Sequence, residues 1–302
     1  MAYVKKKIFQ KEKKKIFKIL MDELNISVHQ AQKMIDRKRV FLDGKIFESK
    51  SAEVCGILEV TLFEPNPVGL RPVFETDDFA IFDKPSGLLV HPRKREEIQT
   101  LNDDIKFLYG HEANAAHRLD KETSGLVLVG KYKKAEIELK QLFEDKKVYK
   151  EYIALTFGKI QKPLTIDAPL KIGSIESKIK IKVHVDSSGK KALSLVEPLE
   201  YDEKNDLTLV RVIPKTGRQH QIRAHLFHVK HPIVGDTIYG VDEEFTDRFL
   251  DKLVEEKERK LVTKGERLML HASRISFSYK EKKYDIISKR DVKRDFYEKC
   301  CL

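Results

Sequence analysis

His117-Arg118-Leu119-Asp120-Lys121-Glu122-Thr123-Ser124-Gly125, running straight into Leu126-Val127-Leu128-Val129, is the stretch from which the rest of this chain can be read. Four consecutive apolar residues behind a Ser-Gly turn spell a short buried strand. Ahead of the turn stands one carboxylate, Asp120, between Arg118 and Lys121. A neighbouring cation favours the charged form of a carboxyl group, so this turn suits an acid kept ionised in front of a substrate. A surface turn with an ordinary, weak salt bridge has the same composition.

Working outward, other strand-like runs appear at Phe79–Phe82, Tyr152–Leu155 and Leu207–Val212, and a helix is predicted over Lys134–Phe143. Strands and helices do not strictly alternate, which favours a mixed α+β architecture over a doubly wound sheet. No period of about 20–50 residues suggests a repeat array. Residues 242–267 are dense in charge, with Phe245, Phe249, Leu250 and Leu253 at helical spacing, and read as one exposed inserted helix.

Before Pro65 the pattern differs. Residues 1–15 form a lysine-rich arm with Glu12 as the sole acid, expected to be a solvated, partly disordered tail. From Ile16 an apolar face recurs through Ile19, Leu20 and Leu24. Ser27 offers an N-cap to a second helix, and Val40-Phe41-Leu42, Asp43-Gly44 and Lys45-Ile46-Phe47 read as a hairpin. Residues 16–63 thus make a small basic module of helices and a hairpin, with Arg37, Lys38 and Arg39 placed to reach a phosphate backbone. The breaker-rich stretch 64–70 reads as a linker to a larger domain, residues 71–302.

Composition narrows the partners. The 302 residues carry 59 Lys and Arg against 48 Asp and Glu, a formal charge of +11. That surplus favours anionic partners, because phosphates neutralised by Lys or Arg release condensed counterions. No run of about 18 apolar residues spells a membrane span, and no apolar segment follows the first lysines as a secretory signal requires. The three cysteines, Cys55, Cys300 and Cys301, lack ligand spacing and suit a reducing cytoplasm.

Two further constellations carry chemistry. In Thr216-Gly217-Arg218-Gln219-His220-Gln221-Ile222-Arg223-Ala224-His225, donors crowd a strand-to-helix transition, a good place for an anion. His220, His225, His228 and His231 lack the acid or Cys that would complete a metal site. In Lys84-Pro85-Ser86-Gly87, Pro and Gly set a tight turn. No P-loop or dinucleotide fingerprint occurs, so no nucleotide cofactor is expected.

Together, and in this order, these motifs resemble the RluA-type family of pseudouridine synthases. The residues that carry the resemblance are DKPSGLLVHP at 83–92, HRLDKETSGLVLV at 117–129, YKEYIAL at 149–155, PKTGRQHQIRAHL at 214–226, HPIVGDTIYG at 231–240 and LHASRISF at 270–277. The segment SVHQAQKMIDRKRVFLDGK in the first module resembles a small RNA-binding domain of the ribosomal-protein-S4 type. Between His91 and His117 the chain is short and charged, with Arg93-Lys94-Arg95-Glu96-Glu97, and so departs from the longer connection of the family pattern.

The resemblance implies a catalytic domain with a mixed, mainly antiparallel central sheet flanked by helices. It implies an isomerase that breaks the N1–C1′ bond of a uridine, turns the base and joins C5 to C1′, with no cofactor or metal. Asp120 is implied as the essential carboxylate, Arg223 as its basic partner, and Tyr152 as an aromatic that stacks on uracil and whose hydroxyl takes part in proton removal. Arg118 is implied to fill the space of a flipped base, and Leu270 to wall the uracil. Lys84, Arg218, His220 and the basic arm are expected at the RNA. Ribosomal RNA of the large subunit is the favoured substrate and transfer RNA the second. A non-catalytic RNA-binding protein on the same fold is the competing reading. The family resemblance also suggests a monomer.

Overall fold

The computed structural model describes residues 2–92, 99–173 and 179–300, so Arg93–Glu97 and Cys301 lie outside the described residues. Residues 2–66 make one compact unit; residues 67–91 and 100–300 make a second.

In the first unit the lysine-rich opening is a strand, not a solvated tail. Strand β1 (Ala2–Lys15) leads into α1 (Ile16–Leu24), α2 (Val28–Asp36), β2 (Val40–Leu42), β3 (Lys45–Ile46) and β4 (Glu53–Glu64). β1 pairs antiparallel with β4 from Ala2 opposite Glu64 to Lys15 opposite Glu53, broken by a bulge between Gln10 and Lys14. The correction has a physical cause: Ile8 is buried in a core with Ile16, Leu20, Ile35 and Leu58. The hydrogen bonds come from a strand far along the sequence, which a local run of lysines does not reveal. The expected cap at Ser27 is a full capping box, its hydroxyl accepting from Gln30 N while the Gln30 side chain accepts from Ser27 N.

The second unit opens with β5 (Pro72–Glu75), β6 (Phe79–Lys84), α3 (Leu101–Tyr109), β7 (Asn114–Ala115), β8 (Ser124–Gly130), α4 (Lys133–Glu144) and β9 (Tyr149–Phe157). It continues with β10 (Leu164–Asp167), β11 (Leu170–Ile172), β12 (Val183–Val185), β13 (Leu193–Asp202), β14 (Leu207–Pro214) and α5 (Gln221–His228). Last come α6 (Glu243–Leu250), α7 (Glu256–Thr263), β15 (Leu270–Tyr279), β16 (Lys282–Ile287) and α8 (Val292–Glu298). The large sheet runs β10-β13-β14-β9-β15-β8-β6-β5, with β16 on β15 and β7 on β8. The β15–β8 pair is parallel and the other pairs antiparallel, so the sheet is mixed.

Alternation along β6 and β8 shows how the sheet is covered. Phe82, Val127 and Val129 pack with Leu101 and Ile105 of α3. Phe79, Ile81, Leu126 and Leu128 pack with Leu139 of α4. Successive side chains of a strand point to opposite faces, so the two helices cover both sides and all of β8 is buried. The segment expected as one inserted helix is two, α6 and α7. Lys252, with φ of 63°, turns the chain out of the helix after Asp242 caps its start by accepting from Phe245 N.

Candidate active site

The loop carrying Asp120 is seated by its neighbours at both ends. Gly125 has φ of 116°, and a Cβ there would fall 2.4 Å from Ala272 O, so only glycine lets β8 begin this close to β15. Upstream, the turn after β6 grips the loop by its carbonyls: Gly87 N donates to Lys121 O at 2.9 Å and Ser86 Oγ to Glu122 O at 2.6 Å. The Glu122 side chain is held from the far side by Arg259 Nη2 of α7, at 2.5 Å.

Asp120 faces one cavity of about 750 Å³, lined also by Arg118, Tyr152, Arg218, His220, Arg223 and Leu270. Seven of the sequence-derived site residues therefore meet in one place. They arrive from the loop before β8, from β9, from α5 and the turn before it, and from the start of β15. Lys146, Lys147, Lys150 and Lys215 add positive charge around the cavity.

Arg223 is buried on α5 with Nη1 at 3.5 Å from Asp120 Oδ2. Its principal partner is a different acid. Asp236 accepts from Arg223 Nε and Nη2, both at 2.7 Å, in a bidentate pair whose two side chains are 3% and 0% exposed. Asp236 Oδ1 also accepts from the backbone of Ile238 and Tyr239 at 2.8 and 3.0 Å. Burial acts to lower the Arg223 pKa, but Asp236 and then Asp120 raise it, leaving the guanidinium above its ordinary value and charged. Asp236 escaped the sequence reading, although it is the sole acid in HPIVGDTIYG. A buried arginine requires an acid, and that motif supplied one.

His220 sits at the left-handed φ of 52° just before α5, which turns its ring inward. Its Nε2 lies 3.8 Å from Asp120 Oδ2 and its Nδ1 3.3 Å from the Tyr239 hydroxyl. It is buried at the cavity wall and belongs to the carboxylate's surroundings. Tyr152 stands on β9, and burial followed by the Asp120 charge pushes its pKa well above the phenol range. The hydroxyl is therefore protonated at pH 7, so to accept a proton it must pass on its own. Leu270 is buried at the cavity wall, whereas Arg118 and Arg218 are exposed.

Lys84 is not a phosphate contact. It is fully buried, and its ammonium donates to the carbonyls of Pro85, Leu88 and Lys121 at 2.9, 2.8 and 3.2 Å, which uses its three N–H groups. Burial lowers its pKa to about 7, against the pull of Glu122 and Asp120. A strand-end lysine looks the same in sequence whether it faces water or carbonyls. Arg37, Lys38 and Arg39 lie in the first unit at the end of α2, Lys38 pairing with Glu48 at 2.7 Å.

Two of the four histidines weighed as metal ligands bond to protein oxygens instead. His225 bonds Ser194 Oγ and Ala168 O, and His231 bonds Phe157 O. Among the described residues, no group of three or more His, Cys, Asp or Glu is placed to hold a metal ion.

Comparison with known proteins shows the family to which the chain belongs. The family model described as RNA pseudouridylate synthase matches residues 78–228. An uncharacterized RNA pseudouridine synthase of Helicobacter pylori strain J99 is 38% identical over 271 residues, 89% of this chain and 90% of that protein. Ribosomal large subunit pseudouridine synthase D of Escherichia coli K12 is 31% identical over 67% of this chain and 65% of its own length. Among solved structures, human RNA Pseudouridylate Synthase Domain Containing 1 superposes with a TM-score of 0.59 at 26% identity, covering 76% of this chain and 86% of that one. This chain belongs to the RluA-type family of pseudouridine synthases and is an isomerase that acts on RNA.

Proposed function

We propose that this enzyme converts uridine to pseudouridine in large-subunit (23S) ribosomal RNA, with Asp120 as the catalytic carboxylate. The observation that carries the reading is Asp120 facing a cation-rimmed cavity with the buried, charge-paired Arg223 at 3.5 Å. An aspartate on a loop gripped through its backbone, beside a guanidinium that stays charged, is kept oriented toward whatever enters. The substrate class is supported by similarity to the Escherichia coli ribosomal large subunit enzyme.

The uridine leaves its stack and enters the cavity, the exposed Arg118 guanidinium taking its place between the neighbouring bases. Tyr152 and Leu270 hold the uracil faces, and Asp120 promotes cleavage of the N1–C1′ bond. The base turns and C5 bonds to C1′. The proton then lost from C5 is balanced by one gained at N1, so no net redox change or energy carrier is needed. Tyr152, as a neutral phenol, can relay that proton by passing its own to Asp120. The first unit serves as an RNA-binding domain of the S4 type, using Arg37, Lys38 and Arg39. The enzyme works as a cytoplasmic monomer without a cofactor.

Pseudouridine mapping of total RNA from cells with the protein, without it, and with Asp120→Ala tests the reading. The expected result is loss of one or a few marks in 23S ribosomal RNA, restored by the wild-type chain and not by Asp120→Ala. Loss confined to transfer RNA would keep the chemistry and overturn the substrate. Restoration by Asp120→Ala would overturn the role of the carboxylate.

A further inference from the structure

A second groove opens beside the catalytic cavity, and Gly217 and Arg218 line both. It encloses about 450 Å³ between the β11–β12 ladder, residues 188–190 and the turn before α5. That volume falls in the range of about 300–1,000 Å³ typical of small-ligand sites. Nothing in the catalytic reading uses it.

Its lining mixes apolar and cationic side chains. Leu170 and Val183 are buried in its wall, and Ile172 is 60% exposed, a large apolar side chain left open to solvent. Lys171, Lys190 and Arg218 also line the groove. Lys171 is committed, donating to Ser188 Oγ at 3.0 Å and lying 3.6 Å from Asp186. Arg218 spends its Nε on Lys191 O at 3.1 Å, and neither it nor Lys190 has a carboxylate partner among the described residues. Among the described residues, no acid lines the groove. Two cations without a carboxylate partner and an apolar surface in one groove match the two halves of a nucleotide, a phosphate and a flat base.

We infer that this groove is a nucleotide subsite, holding one RNA nucleotide next to the uridine in the catalytic cavity. Continuity selects the occupant, because a strand leaving the cavity past Gly217 and Arg218 enters the groove directly. The phosphate lies toward Arg218 and Lys190, and the base lies on Ile172. Such a seat tells the enzyme that an unpaired neighbour flanks its target, a selection that phosphate contacts alone cannot provide. The inference rests on RNA being the substrate and not on ribosomal RNA being the particular one.

The test is binding of a fluorescein-labelled decauridylate to the full chain, read by anisotropy at one salt concentration. Lys190→Glu is expected to raise Kd about tenfold and Ile172→Asp about fivefold or more, in line with losing a phosphate contact and a stacking surface. Lys283→Glu, an equal charge reversal on the exposed edge strand β16, serves as the control and is expected to change Kd less than about twofold. Ile172→Ser accompanies Ile172→Asp, so that loss of the apolar surface is also read without an added charge. An equal loss in the Lys283 variant overturns the proposal in favour of diffuse attraction. Loss with Lys190→Glu while both Ile172 variants bind normally overturns the base seat. Unchanged Kd in every variant overturns the site.

Discussion

Replacing Asp236 by Asn tests whether the pair behind the catalytic aspartate organises the site. In the wild type, Asp236 takes two charge-assisted hydrogen bonds from Arg223, while Asp120 stands farther off at 3.5 Å. Asn keeps the volume, and its Oδ1 can still accept from the Ile238 and Tyr239 amides. Its NH2 then confronts Arg223, so one charge-assisted bond worth about 1.5–3 kcal/mol is lost along with the compensating charge. The full cost should reach about 2–4 kcal/mol, below the roughly 3–5 kcal/mol expected for leaving a buried arginine unpaired with Asp236→Ala. At about 2–4 °C per kcal/mol for a unit of this size, Tm should fall by roughly 4–16 °C. Arg223, short of a partner, should turn to Asp120. At 3.5 Å their attraction is already about 5 kcal/mol with an effective dielectric constant near 20, enough to draw the carboxylate out of position. A loss of about ten- to a hundredfold in kcat follows, equivalent to roughly 1.4–2.7 kcal/mol, with KM for RNA little changed because neither residue is exposed. Calorimetry and single-turnover kinetics on RNA from cells lacking the enzyme provide the measurement. A variant with wild-type Tm and kcat would refute the argument that Asp236 governs Arg223.

Three other outcomes are expected. Lys84→Met should leave the carbonyls of Pro85 and Leu88 buried without a donor and cost about 2–5 kcal/mol by urea unfolding; a loss below about 0.5 kcal/mol would contradict the bonds assigned to that ammonium. Arg259→Met should free Glu122 and lower kcat more than it raises KM, with partial rescue by Arg259→Lys; a change in KM alone would show that α7 serves RNA binding and not the Asp120 loop. Burial, followed by neighbouring cations, pushes His91 to about 4 and His117 and His271 to about 3. These imidazoles stay neutral in the fold but take up protons near about 6.5 when unfolded. The unfolded state therefore binds more protons below that pH, so stability is full above about 6.5 and falls as pH drops toward 4. Urea midpoints should decline between pH 7 and 5, less steeply in His117→Gln, and a flat profile would contradict the neutral assignment.

Local chemistry carried much of this protein into view from its sequence. Apolar runs after turn residues marked β6, β8, β9 and β14, Ser27 announced its capping box, and Asp43-Gly44 announced the hairpin. Asp120, Tyr152 and Arg223 were legible because their motifs occur together and in order, and the fold brings them to one cavity. What escaped depended on contacts between distant segments. Strand β1 looked like a tail because its partner β4 begins at Glu53. Lys84 looked like a phosphate ligand because nothing in a lysine's neighbours tells whether three carbonyls will surround it. Asp236 and Arg259 were two more charges in a charged sequence until burial made one the counter-ion of Arg223 and packing set the other against Glu122. Sequence by itself determined which groups could react and which segments could form strands or helices, because those depend on residue type and short-range spacing. Only the tertiary structure decided which charges are dry and which ion answers which, because desolvation and pairing belong to the packed neighbourhood and not to the residue.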